Sequence, residues 1–163
     1  MTQRINHRSA APDAIKALSA LEAYVHASGL DARLLDLVKI RASQINGCAW
    51  CLDMHTKDAR ADGETEQRLY ALPAWRETPF FTDQERAALA WTEAVTLINQ
   101  GPVSDAVYTE ARRHFSEKAM VDLTMAVIAI NGWNRLNVSF QTPVGSYQPK
   151  RPAASADRRT TTM

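Results

Sequence analysis

Apolar residues return at helical intervals almost throughout the chain, and no stretch keeps the two-residue alternation of a half-buried strand. The expectation is an all-α fold. The seven prolines, at positions 12, 73, 79, 102, 143, 149 and 152, lie between periodic segments or at their edges, where a missing amide donor does no harm. Helices are predicted from about Asp13 to Ser28, closed by Gly29, and from Asp31 to about Ile45, closed by Asn46-Gly47. A third begins at the cysteines and runs to about Ala61, and a short fourth covers Glu64 to Ala71. A tryptophan-bearing loop through Pro73 and Pro79 then leads to Thr82. There Thr82 and Glu85 have the spacing of a capping box, each side chain meeting a backbone amide at the helix start.

The helix that follows, to about Asn99, sets Ala87, Trp91, Ala94, Val95 and Ile98 on one face. Its other face carries Glu85, Arg86, Thr92, Glu93 and Thr96, where solvated carboxylates are expected. Two more helices are predicted, Ser104 to about Phe115 and Ser116 to about Asn131, the latter with room to continue past Gly132. This last helix is apolar nearly all round, as in a helix central to a bundle or shared with another subunit.

With 45% hydrophobic residues among 163, the chain suits one core and one domain. The domain is expected over residues 13–147, after a flexible N-terminus at 1–12. The Pro-, Ala-, Ser-, Thr- and Arg-rich stretch 148–163 reads as a flexible tail or intersubunit arm. Nineteen basic residues against eighteen acidic ones leave a formal charge of +1, so no overall field draws nucleic acid or an anionic membrane. The most apolar run, Ala119 to Ile130, is far shorter than the roughly 20 residues a spanning helix needs, and no secretory signal follows Met1. A cytoplasmic protein is expected.

In that reducing setting a structural disulfide is disfavoured, so the only two cysteines, Cys48 and Cys51, point to redox or metal chemistry. On a helix starting near Cys48, the thiols and His55 fall within one narrow stripe. Gly47 permits a sharp entry, and the free amides of the first turn favour a thiolate. His55, one turn beyond Cys51, is placed to take a thiol proton directly or through water. Such a pair can cycle between dithiol and disulfide. Two other readings stay open. Zinc would find only three ligands here, since His7, His26 and His114 show no finger-like spacing, and the two cysteines could instead be small buried residues. A thioredoxin-like home is disfavoured, because helical rather than strand periodicity precedes Cys48.

The run from Leu34 to Asp58, LLDLVKIRASQINGCAWCLDMHTKD, closely resembles the core of the alkylhydroperoxidase D-like, carboxymuconolactone decarboxylase superfamily. The likeness extends through Glu85 to Trp91 and Asn131 to Arg135. It implies an all-α single-domain bundle and a trimeric or hexameric homo-oligomer. It also implies reduction of hydroperoxides without bound metal or flavin, with electrons from a dithiol donor such as a lipoylated or thioredoxin-like protein. Carried onto this chain, the resemblance makes Cys51 the attacking thiol, Cys48 the resolving one and His55 the motif histidine.

The superfamily's peroxidases carry a glutamate of the proton relay twelve residues before the first cysteine, and the resemblance puts the shorter Asp36 of this chain in that catalytic place. Read by itself, Asp36 fits a surface residue paired with Lys39. Trp50 replaces a further histidine and offers either an aromatic wall for an apolar substrate or ordinary core packing. Trp91, Trp133 and Asn134 resemble positions near the pocket or subunit contacts and equally fit the core. Two other functions remain in view: lactone chemistry of the decarboxylase type, which generally needs no CxxC pair, and a non-enzymatic thiol sensor.

Overall fold

The computed structural model describes residues 2–149, and the expected tail lies outside these from residue 150 onward. Eight α-helices follow one another: α1 (His7–Ala10), α2 (Pro12–Ala27), α3 (Ala32–Ile45), α4 (Ala49–Ala61), α5 (Glu66–Ala71), α6 (Asp83–Thr96), α7 (Asp105–His114) and α8 (Glu117–Phe140). They form a single-domain, all-α bundle.

The helix starts are written in short polar side chains that satisfy otherwise orphaned amides. Asp31 accepts from the Leu34 amide at 3.0 Å, and Ser104 and Ser116 do the same for Val107 and Ala119. Thr82 and Glu85 complete the expected capping box. The segment expected as a loop around Pro73 is instead a 3₁₀ turn, Leu72–Glu77. Buried Leu72 and Trp75 anchor it, and Pro73 sits in its first turn, where no amide is needed.

Helix α3 is the axis of the bundle. Leu34, Leu35 and Val38 join one core with Val25, Phe115, Leu123 and Val127, while Leu37 and Ile40 join a second with Leu69, Leu72, Trp75, Phe81 and Leu89. Its residues are therefore buried on several sides. Helix α8, expected as central to the bundle or shared with another subunit, buries Met120, Leu123, Ala126, Val127 and Ile130 but exposes Val121 and Ile128 on its outer side. It runs unbroken through Gly132, because a helical hydrogen bond needs no side chain and α2 crosses closely here. A Cβ at Gly132 would lie 3.2 Å from Leu18 Cδ1. Leu123 is fully buried, so Leu123→Ala should cost about 3 kcal/mol in urea unfolding through lost transfer energy and an unfilled cavity.

The apolar face expected for α6 is shifted. Ala87, Ala88, Leu89, Thr92 and Thr96 are buried, Ile98 is exposed, and Thr92 returns its hydroxyl to the Ala88 carbonyl at 2.7 Å. Glu85 and Glu93 are not simply solvated. Glu93 accepts from Arg41 at 2.7 Å, Trp75 Nε1 at 2.8 Å and Arg76 at 2.5 Å; Glu85 accepts from Arg68 at 2.5 Å. Carboxylates there tie α3 and the 3₁₀ turn to α6.

Two terminal segments close around α4. Within residues 1–12, expected as flexible, Asn6 caps α1 and Arg4 bonds the Phe140 carbonyl at 3.0 Å. After α8 the chain turns back along α4. The Gly145 amide meets Asp53 at 3.3 Å, Lys57 donates to the Tyr147 carbonyl at 3.0 Å, and Tyr147 donates its hydroxyl to Asp58 at 2.6 Å. No described helix is long and apolar enough to cross a membrane.

Candidate active site

Gly47 has φ +64°, a left-handed backbone that turns the chain from α3 into α4. Cys48 is therefore the residue capping α4 rather than its first helical residue, and its sulfur accepts from the Cys51 amide at 3.4 Å. One turn of helix brings the two sulfurs to 2.7 Å, both thiols being free and fully buried. Trp50, Trp133, Ala42 and Ile130 pack around them.

The polar side of this nest comes from α8. Asn137 donates to Cys51 Sγ at 3.3 Å and accepts from Thr142 at 2.8 Å. Asn134 donates to Ser43 at 3.0 Å and accepts from Asn46 at 2.9 Å, and Asn46 also donates to Asn131 at 3.0 Å. Ile45-Asn46-Gly47 and Ile130-Asn131-Gly132, the same three residues in two places, thus meet through their asparagines. Spacing three apart puts Asn131, Asn134 and Asn137 along one side of α8, a polar stripe in an apolar helix. That stripe was the signal in the sequence, and only Asn134 was singled out.

The thiols are unequal. The hydrogen bond from Cys48, followed by the amides of Asn137 and Asn134 and the Ser43 hydroxyl, outweighs burial and brings Cys51 down to about 7. The same bond to Cys51, together with burial, pushes Cys48 far up, so it keeps its proton. Cys51 is thus the sulfur stabilised as a thiolate, despite lying deeper than the helix cap. Cys48→Ala should accordingly raise the Cys51 pKa above about 7 toward the ordinary thiol value. The midpoint of iodoacetamide alkylation rate against pH reports this directly, since the rate falls as the thiolate is protonated.

Cys51 opens on a cavity of about 480 Å³ shared with Asp36, His55, Trp50, Met54, Trp133 and Tyr147. Burial, with Lys39 and His26 nearby, drives the His55 pKa down to about 3, so its ring is neutral. No hydrogen bond joins His55 to either thiol among the described residues. Asp36 is half-buried, and burial raises its carboxyl to about 6, with Lys39 opposing and Asp62, Asp58 and Glu64 reinforcing the rise.

Asp36 is not the partner of Lys39. Lys39, only 3% exposed, pairs with Glu22 of α2 and lies 3.2 Å from His26 Nε2. Glu22 and His26 both line the cavity, so His26, distant in sequence, is near in space. At the mouth, the Arg8 guanidinium lies 6.0 Å from the Trp50 ring and 5.3 Å from that of Trp133. Trp50 meets Tyr147 edge-on at 6.3 Å. Trp91 lies elsewhere, bonded to Thr124 at 3.1 Å beside Tyr108. Among the described residues, no group of three His, Cys, Asp or Glu side chains is arranged to hold a metal.

A buried, asymmetric dithiol beside a cavity walled by aromatic and charged side chains is an arrangement that can support thiol redox chemistry. The model of the carboxymuconolactone decarboxylase family matches residues 12–94, and the chain belongs to that family. An uncharacterised protein of Bacillus subtilis (strain 168), YdfG, is 44% identical over 140 residues, spanning 86% of this chain and 95% of that protein. Among solved structures, ATU0492 from Agrobacterium tumefaciens has TM-score 0.86 and 46% identity, covering 90% of this chain and 100% of its own. Its function is unknown, with AhpD-type antioxidant defence suggested for it. The debrominase Bmp8 shares the fold at TM-score 0.74 and 20% identity, over 83% of this chain and 73% of its own. A shared fold does not fix an activity, so function must be argued from the site.

Proposed function

We propose that the protein is a thiol peroxidase that reduces organic hydroperoxides through a Cys51–Cys48 dithiol–disulfide cycle. The observation that carries this reading is the contact between a thiolate-favouring Cys51, open to the cavity, and a Cys48 that keeps its proton. The Cys51 thiolate attacks the outer oxygen of the hydroperoxide, the O–O bond breaks, and sulfur is oxidised to sulfenic acid. The departing alkoxide takes a proton and leaves as the alcohol. Cys48 then attacks the sulfenic sulfur, its proton leaving with the hydroxyl as water, and the disulfide forms.

In this reading the proton roles divide differently from a simple thiol–imidazole pair. A ring held near a pKa of 3 is a weak base, whereas Asp36 near 6 is mostly ionised at neutral pH yet basic enough to take the thiol proton and pass it to the alkoxide. His55 serves as a neutral ring lining the cavity with Cys51 and Asp36. Trp50, Trp133 and Met54 supply the apolar surface for the organic portion of the substrate.

Electrons come from an external dithiol, and no metal or flavin takes part. The exposed apolar side chains of Val121 and Ile128 support a homo-oligomer, and the reliance on free thiols supports a cytoplasmic setting. Lactone chemistry would leave the matched thiols and their asparagine network without a role. A sensor would bind no second equivalent of peroxide. Incubation with cumene hydroperoxide and dihydrolipoamide should give many turnovers, one dithiol oxidised per peroxide consumed. A single stoichiometric oxidation followed by arrest, or activity on muconolactone that survives loss of both cysteines, would contradict the reading.

A further inference from the structure

Cys48 and Cys51 touch each other but face different openings. Cys51 borders the cavity already described, which Cys48 does not reach. Cys48 borders a second hollow of about 600 Å³, which Cys51 does not reach, formed with Gly47, Asn137, Val138, Thr142 and Val144. Trp50 lines both and stands between them.

We propose that the disulfide is reduced through this second opening, by a slender aliphatic dithiol whose thiolate attacks Cys48, while the hydroperoxide reaches Cys51 through the first. The proposal rests on the peroxidase reading for the origin of the disulfide. Displacement at sulfur runs along the bond being broken, so an attacker on Cys48 must approach from the side away from Cys51, and the second hollow borders Cys48 without bordering Cys51. The better leaving sulfur is also the one behind. Asn137 donates to Cys51 at 3.3 Å, a bond that does not depend on the Cys48 thiol and steadies the departing Cys51 thiolate. Cys48 is 1% exposed, so a dithiol fixed on a flat protein surface would stop short of it, whereas a thin chain can enter between Val138 and Val144.

The chemistry balances. The donor thiolate forms a bond to Cys48 Sγ as the Cys48–Cys51 bond breaks, and Cys51 leaves with the electron pair. The donor's second thiol, deprotonated, attacks the donor sulfur of this mixed disulfide and expels Cys48, which takes up a proton. The donor is oxidised to its disulfide by two electrons, and the protein dithiol is regenerated.

The test starts from protein oxidised with diamide, so that it does not depend on peroxide chemistry. Val138 and Val144 are about half exposed, so Val138→Arg and Val144→Arg can narrow the opening without disturbing the core. Each should slow disulfide reduction by dihydrolipoamide at least about tenfold, because exchange depends on access to the attacked sulfur. Oxidation of the reduced variants by cumene hydroperoxide should match the parent. In parallel, reaction of the oxidised parent with 2-mercaptoethanol, quenched with iodoacetamide, should place the adduct on Cys48 and the alkyl group on Cys51 by fragment mass spectrometry. An adduct on Cys51, reduction unaffected in both variants, or failure of diamide to form the disulfide would overturn the proposal. If hydroperoxide leaves the parent thiols intact, the peroxidase reading fails instead, and the diamide arm still reports the face of attack.

Discussion

Cys51→Ser should lower the rate of hydroperoxide reduction by at least about 10³-fold, the scale of loss when a covalent catalyst loses its nucleophile. A serine hydroxyl is too weakly acidic to supply an anion at neutral pH, and oxygen cannot accept the oxygen atom that sulfur accepts. The fold should survive, because serine is slightly smaller and can still accept the Asn137 amide. Cys48→Ser should behave differently. Its Cys51 can still attack, but the sulfenic acid has no neighbour to capture it, so a single oxidation is followed by arrest and dimedone labels Cys51. Steady-state peroxide consumption and dimedone labelling together separate the two roles. Equal, undiminished turnover in both variants is the outcome that the assigned chemistry forbids.

Glu22→Gln should destabilise the protein by about 3 kcal/mol, measured by urea unfolding at neutral pH, because it strips a buried ammonium of its counter-charge. Lys39 is 3% exposed and finds only Glu22 and His26 as polar partners among the described residues. Neutralising Glu22 leaves that charge, 3% exposed at the edge of the cavity, with only His26 beside it. The double variant Glu22→Gln, Lys39→Met should regain most of the loss, since an apolar side chain of similar length needs no partner there. A single variant as stable as the parent would mean that Lys39 is solvated in the folded state.

The meeting of Cys48 with Cys51 was legible in the sequence because one helical turn builds it, whereas His55 shares a cavity with Cys51 alone. Spacing of three and four residues fixes what shares a face, and Gly47 marks the turn that sets the pair at the helix entry. Helix ends were legible where Asp31, Thr82, Ser104 and Ser116 write a cap in side-chain chemistry. What could not be read was everything supplied across helices. Asn137 lies 86 residues from Cys51 and Tyr147 lies 89 from Asp58, so no local period connects them.

Lys39 illustrates the same limit. Spacing along α3 suggested Asp36 as its partner, yet packing of α2 brought Glu22 within reach of the ammonium. His26 arrived at the cavity by the same crossing. Which of the two expected settings α8 takes, central in the bundle or shared with another subunit, is likewise not written along the chain. Helices α3 and α8 are both rich in apolar residues, and only the placement of neighbours decides that Val121 and Ile128 of α8 face outward.

The dithiol cycle is most directly tested by intact mass spectrometry of the fully reduced protein before and after one equivalent of cumene hydroperoxide. The account predicts a loss of about two mass units, with both thiols protected from alkylation afterwards and restored by a dithiol. Thiols that remain alkylatable, with the mass unchanged after peroxide, would contradict it.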